Sequence, residues 1–177
     1  MGRVKMKKLA ILLIVLMTVV LGGCSGDKTT DQDQKPKTET QAQQPAGEKV
    51  KVTLYFANQN ADGLVPVVRE IDKPDDMVKA LVEELKKPEQ HAPVLPEGTE
   101  LLDYKTEGET IVLNFNQAFA NLQGSTGEFI TVNSLVNTMT ELPQYKSVKL
   151  LVEGKTLETG HAIYDKPIPR NEGIIKK

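Results

Sequence analysis

Residues 125–155 read Ser-Thr-Gly-Glu-Phe-Ile-Thr-Val-Asn-Ser-Leu-Val-Asn-Thr-Met-Thr-Glu-Leu-Pro-Gln-Tyr-Lys-Ser-Val-Lys-Leu-Leu-Val-Glu-Gly-Lys. Ser125 and Glu128 have the spacing of a capping box, in which the hydroxyl accepts an orphan N–H and the carboxylate reaches back. Phe129, Val132, Val136 and Met139 follow at intervals of three and four, and Ile130, Leu135 and Leu142 widen the apolar stripe. Pro143 stops the helix. Val148, Leu150 and Val152 then alternate as a strand, and Glu153-Gly154 marks a tight turn. Neither element can bury its apolar side alone, so helix and strand are expected on one sheet.

Upstream, Val50, Val52, Leu54 and Phe56 alternate with Lys49, Lys51, Thr53 and Tyr55, a strand with one buried face. Residues 58–63 are turn-rich, and residues 64–71 read as a second strand that Pro66 confines to an edge. Asp72 is placed to cap a first helix with Pro74 in its first turn; Met77, Val78, Leu81, Val82 and Leu85 form its apolar face and Pro88 ends it. Residues 101–105 and 110–115 make a hairpin turning at Glu107-Gly108, and residues 156–158 offer a short edge. The order is β-β-α-β-β-α-β(-β), an α+β domain with two main helices on one face of a mixed sheet. The passage from Phe115 to Val148 is long enough for a crossover between parallel strands.

Ahead of this domain the chain changes character twice. Residues 1–8 are basic, and Leu9 to Leu21 form an apolar run of thirteen, short of the roughly twenty that span a bilayer. The leader reads equally well from Met1 or from Met6. Leu21-Gly22-Gly23-Cys24 has the pattern of a bacterial lipobox, so residues 1–23 read as a lipoprotein signal peptide and Cys24, the single cysteine, as the acylated residue. Each buried CH₂ of an acyl chain contributes about 0.8 kcal/mol, so several chains hold a soluble domain at a membrane. Residues 24–48 read as that cysteine plus a tether of Thr, Gln, Asp, Lys and Pro that buries too little to offset its ordering entropy. Such a coil reaches roughly 25–30 Å root-mean-square. The domain occupies residues 49–171, and residues 172–177 are a tail.

Charge narrows the partners. The formal net charge is −2, and without residues 1–23 there remain 18 cations against 24 acids, or −6. That sign repels phosphate backbones, so no nucleic-acid partner is expected. There is no Trp to build a stacking platform.

The possible sites are thin. Asn58, Asn60, Asp62 and Gly63 match the first half of an EF-hand loop, but the twelfth position is Arg69 where a bidentate Glu is required. Gly124-Ser125-Thr126-Gly127 at a helix start resembles an anion cradle, already contested by Glu128. His91 and His161 sit in predicted loops without a third ligand, although His161 and Asp165 have helical spacing. Asp75-Asp76 and Glu83-Glu84 fit solvated helix faces better than a glycosidase pair. No catalytic residue, metal or cofactor is expected. One helix face is unusual: Asn133, Asn137 and Thr140 are weak helix formers, and no Lys or Glu lies between Glu128 and Glu141. That face suggests contact with a partner or with a neighbouring loop, against the simpler reading of harmless small polar residues.

Residues 50–171 resemble the GerMN domain of sporulation and spore-germination lipoproteins. The likeness rests on Leu54-Tyr55-Phe56-Ala57, on Asp62-Gly63-Leu64-Val65-Pro66-Val67 with Arg69, and on Pro96-Glu97-Gly98-Thr99. It is densest at Leu135-Val136-Asn137-Thr138-Met139-Thr140 and Val152-Glu153-Gly154-Lys155, and departs at Leu85-Lys86-Lys87-Pro88, where the family has Gly before Pro. The resemblance implies a core similar to the ring-building motif of envelope assemblies. It implies a non-enzymatic protein-binding or assembly module on the extracytoplasmic membrane face, partnered by another envelope or sporulation protein. The alternative is a lipoprotein that binds a small ligand or wall glycan in a polar-lined pocket, with an uncharacterised hydrolase a distant third.

Overall fold

The computed structural model describes residues 47–176. The signal-peptide reading, Cys24 and nearly all of the tether lie outside the described residues. Strand β1 (Lys49–Ala57) pairs antiparallel with β2 (Leu64–Asp72); α1 (Met77–Leu85), β3 (Leu101–Glu107), β4 (Thr110–Phe115), α2 (Gly124–Met139) and β5 (Ser147–Val152) follow in the expected order. Two short strands, β6 (Lys155–Thr156) and β7 (Ile168–Pro169), close the second sheet, both antiparallel to β5. The architecture is α+β with two helices.

The strands divide into two sheets where one was expected. β1 and β2 form a ribbon, while β3, β4, β5 and β6 run side by side, with β4 and β5 parallel. The helix between β4 and β5 supplies the crossover that parallel pairing requires. Both helices pack on β1 and on each other, and α2 also packs on β5. Because α2 meets both sheets, eleven of its sixteen residues are buried, including five small polar ones, Thr131, Asn133, Ser134, Asn137 and Thr138.

Those hydroxyls explain how a helix seals a strand edge. Thr138 Oγ1 accepts from the Tyr55 N–H at 3.1 Å, and Ser134 Oγ donates to the Tyr55 carbonyl at 2.6 Å. Tyr55 and Pro66 face each other as a non-hydrogen-bonded pair, so the Tyr55 N–H and carbonyl point away from β2 and are completed by α2, while Pro66 interrupts no bond of the ribbon. Pro66 therefore sits within an unbroken edge strand. Tyr55 was expected on a solvated face, but the last four residues of β1 are buried on both sides.

Helix starts differ from the sequence reading. Asp76, not Asp72, caps α1, its Oδ1 accepting from the Lys79 N–H at 3.1 Å; Pro74 lies before the helix, where it costs no hydrogen bond. α2 begins at Gly124 behind Gln123, with no side-chain cap. The Ser125–Glu128 capping box does not form, because Glu128 is buried at 3% exposure and its Oε1 accepts from the Tyr164 hydroxyl at 2.7 Å. Of the stripe on α2, Val132, Val136 and Met139 are core, whereas Phe129 is half exposed. Ile130 takes the inward place beside it.

The Glu153-Gly154 turn has positive φ at both residues, 48° and 75°, the geometry of a two-residue hairpin matched to strand twist. Residues 172–176, read as a tail, belong to the domain. Ile174 is buried and Lys176 N donates to the Leu64 carbonyl at 2.7 Å. Gly63 permits this approach, since a Cβ there would meet the Ile174 carbonyl oxygen at 2.8 Å.

Candidate functional site

The face of α2 that carries Asn133, Asn137 and Thr140 is occupied by the chain's own C-terminal segment. Asn137, fully buried, donates to the Asn171 carbonyl at 3.0 Å and accepts from the Asn171 N–H at 2.9 Å, a two-way clasp. Asn133 Oδ1 accepts from the Asn171 side chain at 3.0 Å. Arg170 donates to the Asn137 carbonyl at 2.9 Å and to Thr140 Oγ1 at 3.2 Å. It also donates to the Tyr55 hydroxyl and pairs with Glu141 at 2.8 Å. The absence of Lys and Glu on this face therefore reflects a neighbouring segment, the second of the two contacts the sequence suggested. A partner has no access to Asn133 and Asn137 while that segment is in place.

Arg69 does the same for α1. Its guanidinium donates to the Glu84 carbonyl at 2.9 Å and the Lys87 carbonyl at 2.5 Å, and pairs with the Glu84 carboxylate at 3.1 Å. Each helix thus ends on an arginine that satisfies its last carbonyls and complements its negative pole. The two guanidinium carbons lie over adjacent β1 rings, Arg69 over Phe56 and Arg170 over Tyr55, each 5.1 Å from the centroid.

The surface left open is apolar and lies beside this clamp. Phe129, Val132, Asn133, Tyr164, Ile168 and Arg170 line a groove of about 480 Å³. Val132 is buried at its floor and Phe129 stands half exposed at its rim. Ile163 is 64% exposed and precedes Tyr164, so Phe129 and Ile163 flank in sequence the two ends of the buried Glu128–Tyr164 hydrogen bond. Burial first, and then the bond to Glu128, push the Tyr164 hydroxyl far above its ordinary pKa, so the bond persists at any physiological pH.

A second concavity of about 460 Å³ lies where the residue 58–63 turn, the proline-rich loop and the start of α2 meet. Ala57, Ala92, Leu95, Pro96 and Ile130 give it apolar walls, and Thr126 and Thr131 add hydroxyls.

The remaining candidates have structural settings. Asp62 Oδ1 accepts from the Asn58 side chain at 2.7 Å and Asn58 Oδ1 accepts from the Asp62 N–H, an internally closed Asx turn. His91 stacks on Phe56 with centroids 5.4 Å apart, and the His161 N–H donates to Thr159 Oγ1 in an exposed turn. Asp76 caps α1 and also accepts from Tyr104. Glu83 pairs with Lys86 on the surface, while Glu84 is held by Arg69 and Lys87. Among the described residues no three His, Cys, Asp or Glu side chains converge.

Comparison with known proteins places this geometry. A family model described as Germane, sporulation and spore germination, matches residues 53–158. The spore germination protein GerM of Bacillus subtilis (strain 168) is 31% identical over 116 residues, covering 59% of this chain and 32% of that protein. The solved tandem GerMN domains of the sporulation protein GerM from Bacillus subtilis give a TM-score of 0.59 at 28% identity, covering 72% of this chain and 46% of that one. The solved first GerMN domain of the same protein gives 0.49 at 21% identity, over 70% and 95% of the two chains. The chain spans about a third of the length of the curated relative and just under half of the tandem structure.

Proposed function

The chain belongs to the Germane family of sporulation and spore-germination domains, and from that membership we propose a lipid-anchored, non-enzymatic envelope protein whose domain binds another envelope protein. The observation that carries the binding reading is the half-exposed Phe129 at the rim of an open, largely apolar groove on otherwise well-packed elements. Large apolar side chains next to a concave apolar surface suit a protein partner that inserts a hydrophobic side chain. The rigid backing matters as much. Glu128–Tyr164 and the Arg170 clamp fix both walls of the groove, so little ordering entropy is lost when a partner docks.

The anchor reading rests on Leu21-Gly22-Gly23-Cys24 and the polar segment behind it. Detergent phase partitioning of Cys24→Ala tests it: the variant should move to the aqueous phase with its domain folded, and persistent partitioning with detergent would end the lipoprotein reading. Affinity capture from native sporulating membranes, comparing the wild-type chain with Phe129→Glu and Phe129→Ser, tests the binding surface. A partner should be recovered by the wild type and lost by both variants at unchanged thermal stability.

A further inference from the structure

Strand β3 is an edge. The second sheet begins with it, and it pairs with β4 alone. Phe115 of β4 bonds across to the β5 side, its carbonyl accepting from the Glu153 N–H, so alternate residues of β4 bond back toward β3. Those are Thr110, Val112 and Asn114, which stand opposite Glu107, Lys105 and Asp103. Tyr104 and Thr106 therefore turn their backbone groups away from β4, and no other backbone group among the described residues bonds to them. A row of free N–H and C=O groups at this spacing is completed by one kind of partner, another extended strand.

The side chains decide which strand. Five of the seven residues of β3 are exposed, so the edge is open to approach. Leu102, which a bulge leaves without a partner on β4, is 44% exposed. Asp103, Lys105 and Glu107 share one face of the sheet and alternate in sign. The strand runs from Leu101 to Glu107, with Tyr104 at its midpoint. A copy of β3 laid antiparallel about a two-fold axis at Tyr104 sets Asp103 opposite Lys105 of the other copy, and Lys105 opposite its Asp103. The same register faces Leu102 with Thr106 and uses the whole strand.

Other axes fail. One at Asp103, Lys105 or Glu107 sets a charge against itself, and one at Thr106 brings Asp103 to Glu109. An axis at Leu101 or Leu102 runs the pairing off the end of the strand. Charged residues guard a free edge against indiscriminate pairing. On β3 their order admits one self-pairing.

We propose that β3 is a self-recognition edge, on which a second copy of this chain docks antiparallel about Tyr104 to make one continuous sheet. The Tyr104 N–H of each copy donates to the Tyr104 carbonyl of the other, flanked by the two Asp103–Lys105 contacts. The contact uses no residue of the Phe129 groove and stands or falls without it.

The test is disulfide trapping in the full chain carrying Cys24→Ala, so that each introduced thiol is the single one. In the proposed register, positions 103 and 105 of opposite copies lie about 4.5 Å apart at Cα, within disulfide reach, whereas position 103 lies about 8 Å from its own counterpart. Under mild oxidation, Asp103→Cys chains mixed with Lys105→Cys chains should give about tenfold more covalent dimer than either variant alone. Sedimentation of the Cys24→Ala chain at rising concentration should show a dimer. Asp103→Lys should weaken it about tenfold, and adding Lys105→Asp should restore it, with melting temperatures unchanged at these exposed positions. Equal yields from the mixture and the single variants, a dimer untouched by Asp103→Lys, or no dimer in either measurement would overturn the proposal.

Discussion

Arg170 donates to the hydroxyl of Tyr55 at 2.6 Å while its guanidinium carbon lies 5.1 Å from the centre of the same ring, a contact across 115 residues of sequence. The tyrosine hydroxyl in turn donates to Glu141 at 2.7 Å. One arginine thus ties the end of the ribbon, the end of α2 and the C-terminal segment into a single polar junction. Burial, then the bond to Glu141, raise the Tyr55 pKa against the lowering influence of Arg170.

The first prediction concerns that junction. Arg170→Ala should destabilise the domain by about 2 kcal/mol, since it strips partners from the Asn137 carbonyl and Glu141 together. Arg170→Lys should recover little, because an ammonium cannot reproduce the fork or its stacking on the ring. In a double-mutant cycle with Tyr55→Phe, chemical denaturation should give a coupling of about 0.5–2 kcal/mol. Strict additivity would mean that the two residues are only neighbours.

The clasp between Asn137 and Asn171 makes a second case. Asn137→Ala leaves the Asn171 N–H and carbonyl without their partners and should cost about 1–3 kcal/mol, whereas Asn137→Lys should prevent stable folding. Hydrogen exchange of the C-terminal segment in Asn137→Ala should accelerate at residues 168–176 first. Exchange that rises uniformly across the domain would argue against a locally held strap.

Glu84 supplies a pH dependence. Burial pushes its carboxyl up, but hydrogen bonds and charge from Lys87 and Arg69 outweigh burial and hold it below the ordinary glutamate value of 4.5. A carboxyl with a depressed folded pKa binds fewer protons folded than unfolded. Its stabilising contribution is therefore complete above the unfolded value and lost as pH falls through the folded one. The stability gap between wild type and Glu84→Gln should be widest near pH 7 and close progressively below about pH 4. A gap that stays constant into acid would show that the Arg69 pairing carries no net free energy.

Much of the fold was legible because it depends on local periodicity. The order of strands and helices, the parallel pairing of β4 with β5 and the Glu153-Gly154 turn follow from alternation, spacing and turn chemistry. What sequence reasoning missed depends on residues far apart in the chain. Glu128 was read as a cap because its spacing from Ser125 fits one, but Tyr164 competes for it from 36 residues away. Phe129 continues the stripe on paper, yet Glu128, Ile130 and Thr131 take the covered positions of that turn, leaving the ring half exposed on the groove rim. Arg170 and Asn171 lie in a segment without periodicity, which carries no local signal of their contacts. A signal for them was present in the missing Lys and Glu of α2, which implied a covered face without naming its cover. Pro167 and Pro169, which favour an extended strap, pointed to the residues that provide it.

On the proposed function, the half-exposed Phe129 and the groove it rims form a docking face and not an accident of packing. Truncating Val136 to Ala should cost about 1–3 kcal/mol because it opens a cavity in the core. Phe129→Ala should cost under about 1 kcal/mol, since half of that side chain is already in water. The decisive measurement is cross-linking in sporulating cells from a photoreactive residue placed at position 129, with position 68 on the exposed ribbon as control. The account predicts one discrete adduct from position 129, absent from position 68, in chains that melt like wild type. Indistinguishable adducts from the two positions, or no discrete adduct from position 129, would contradict it.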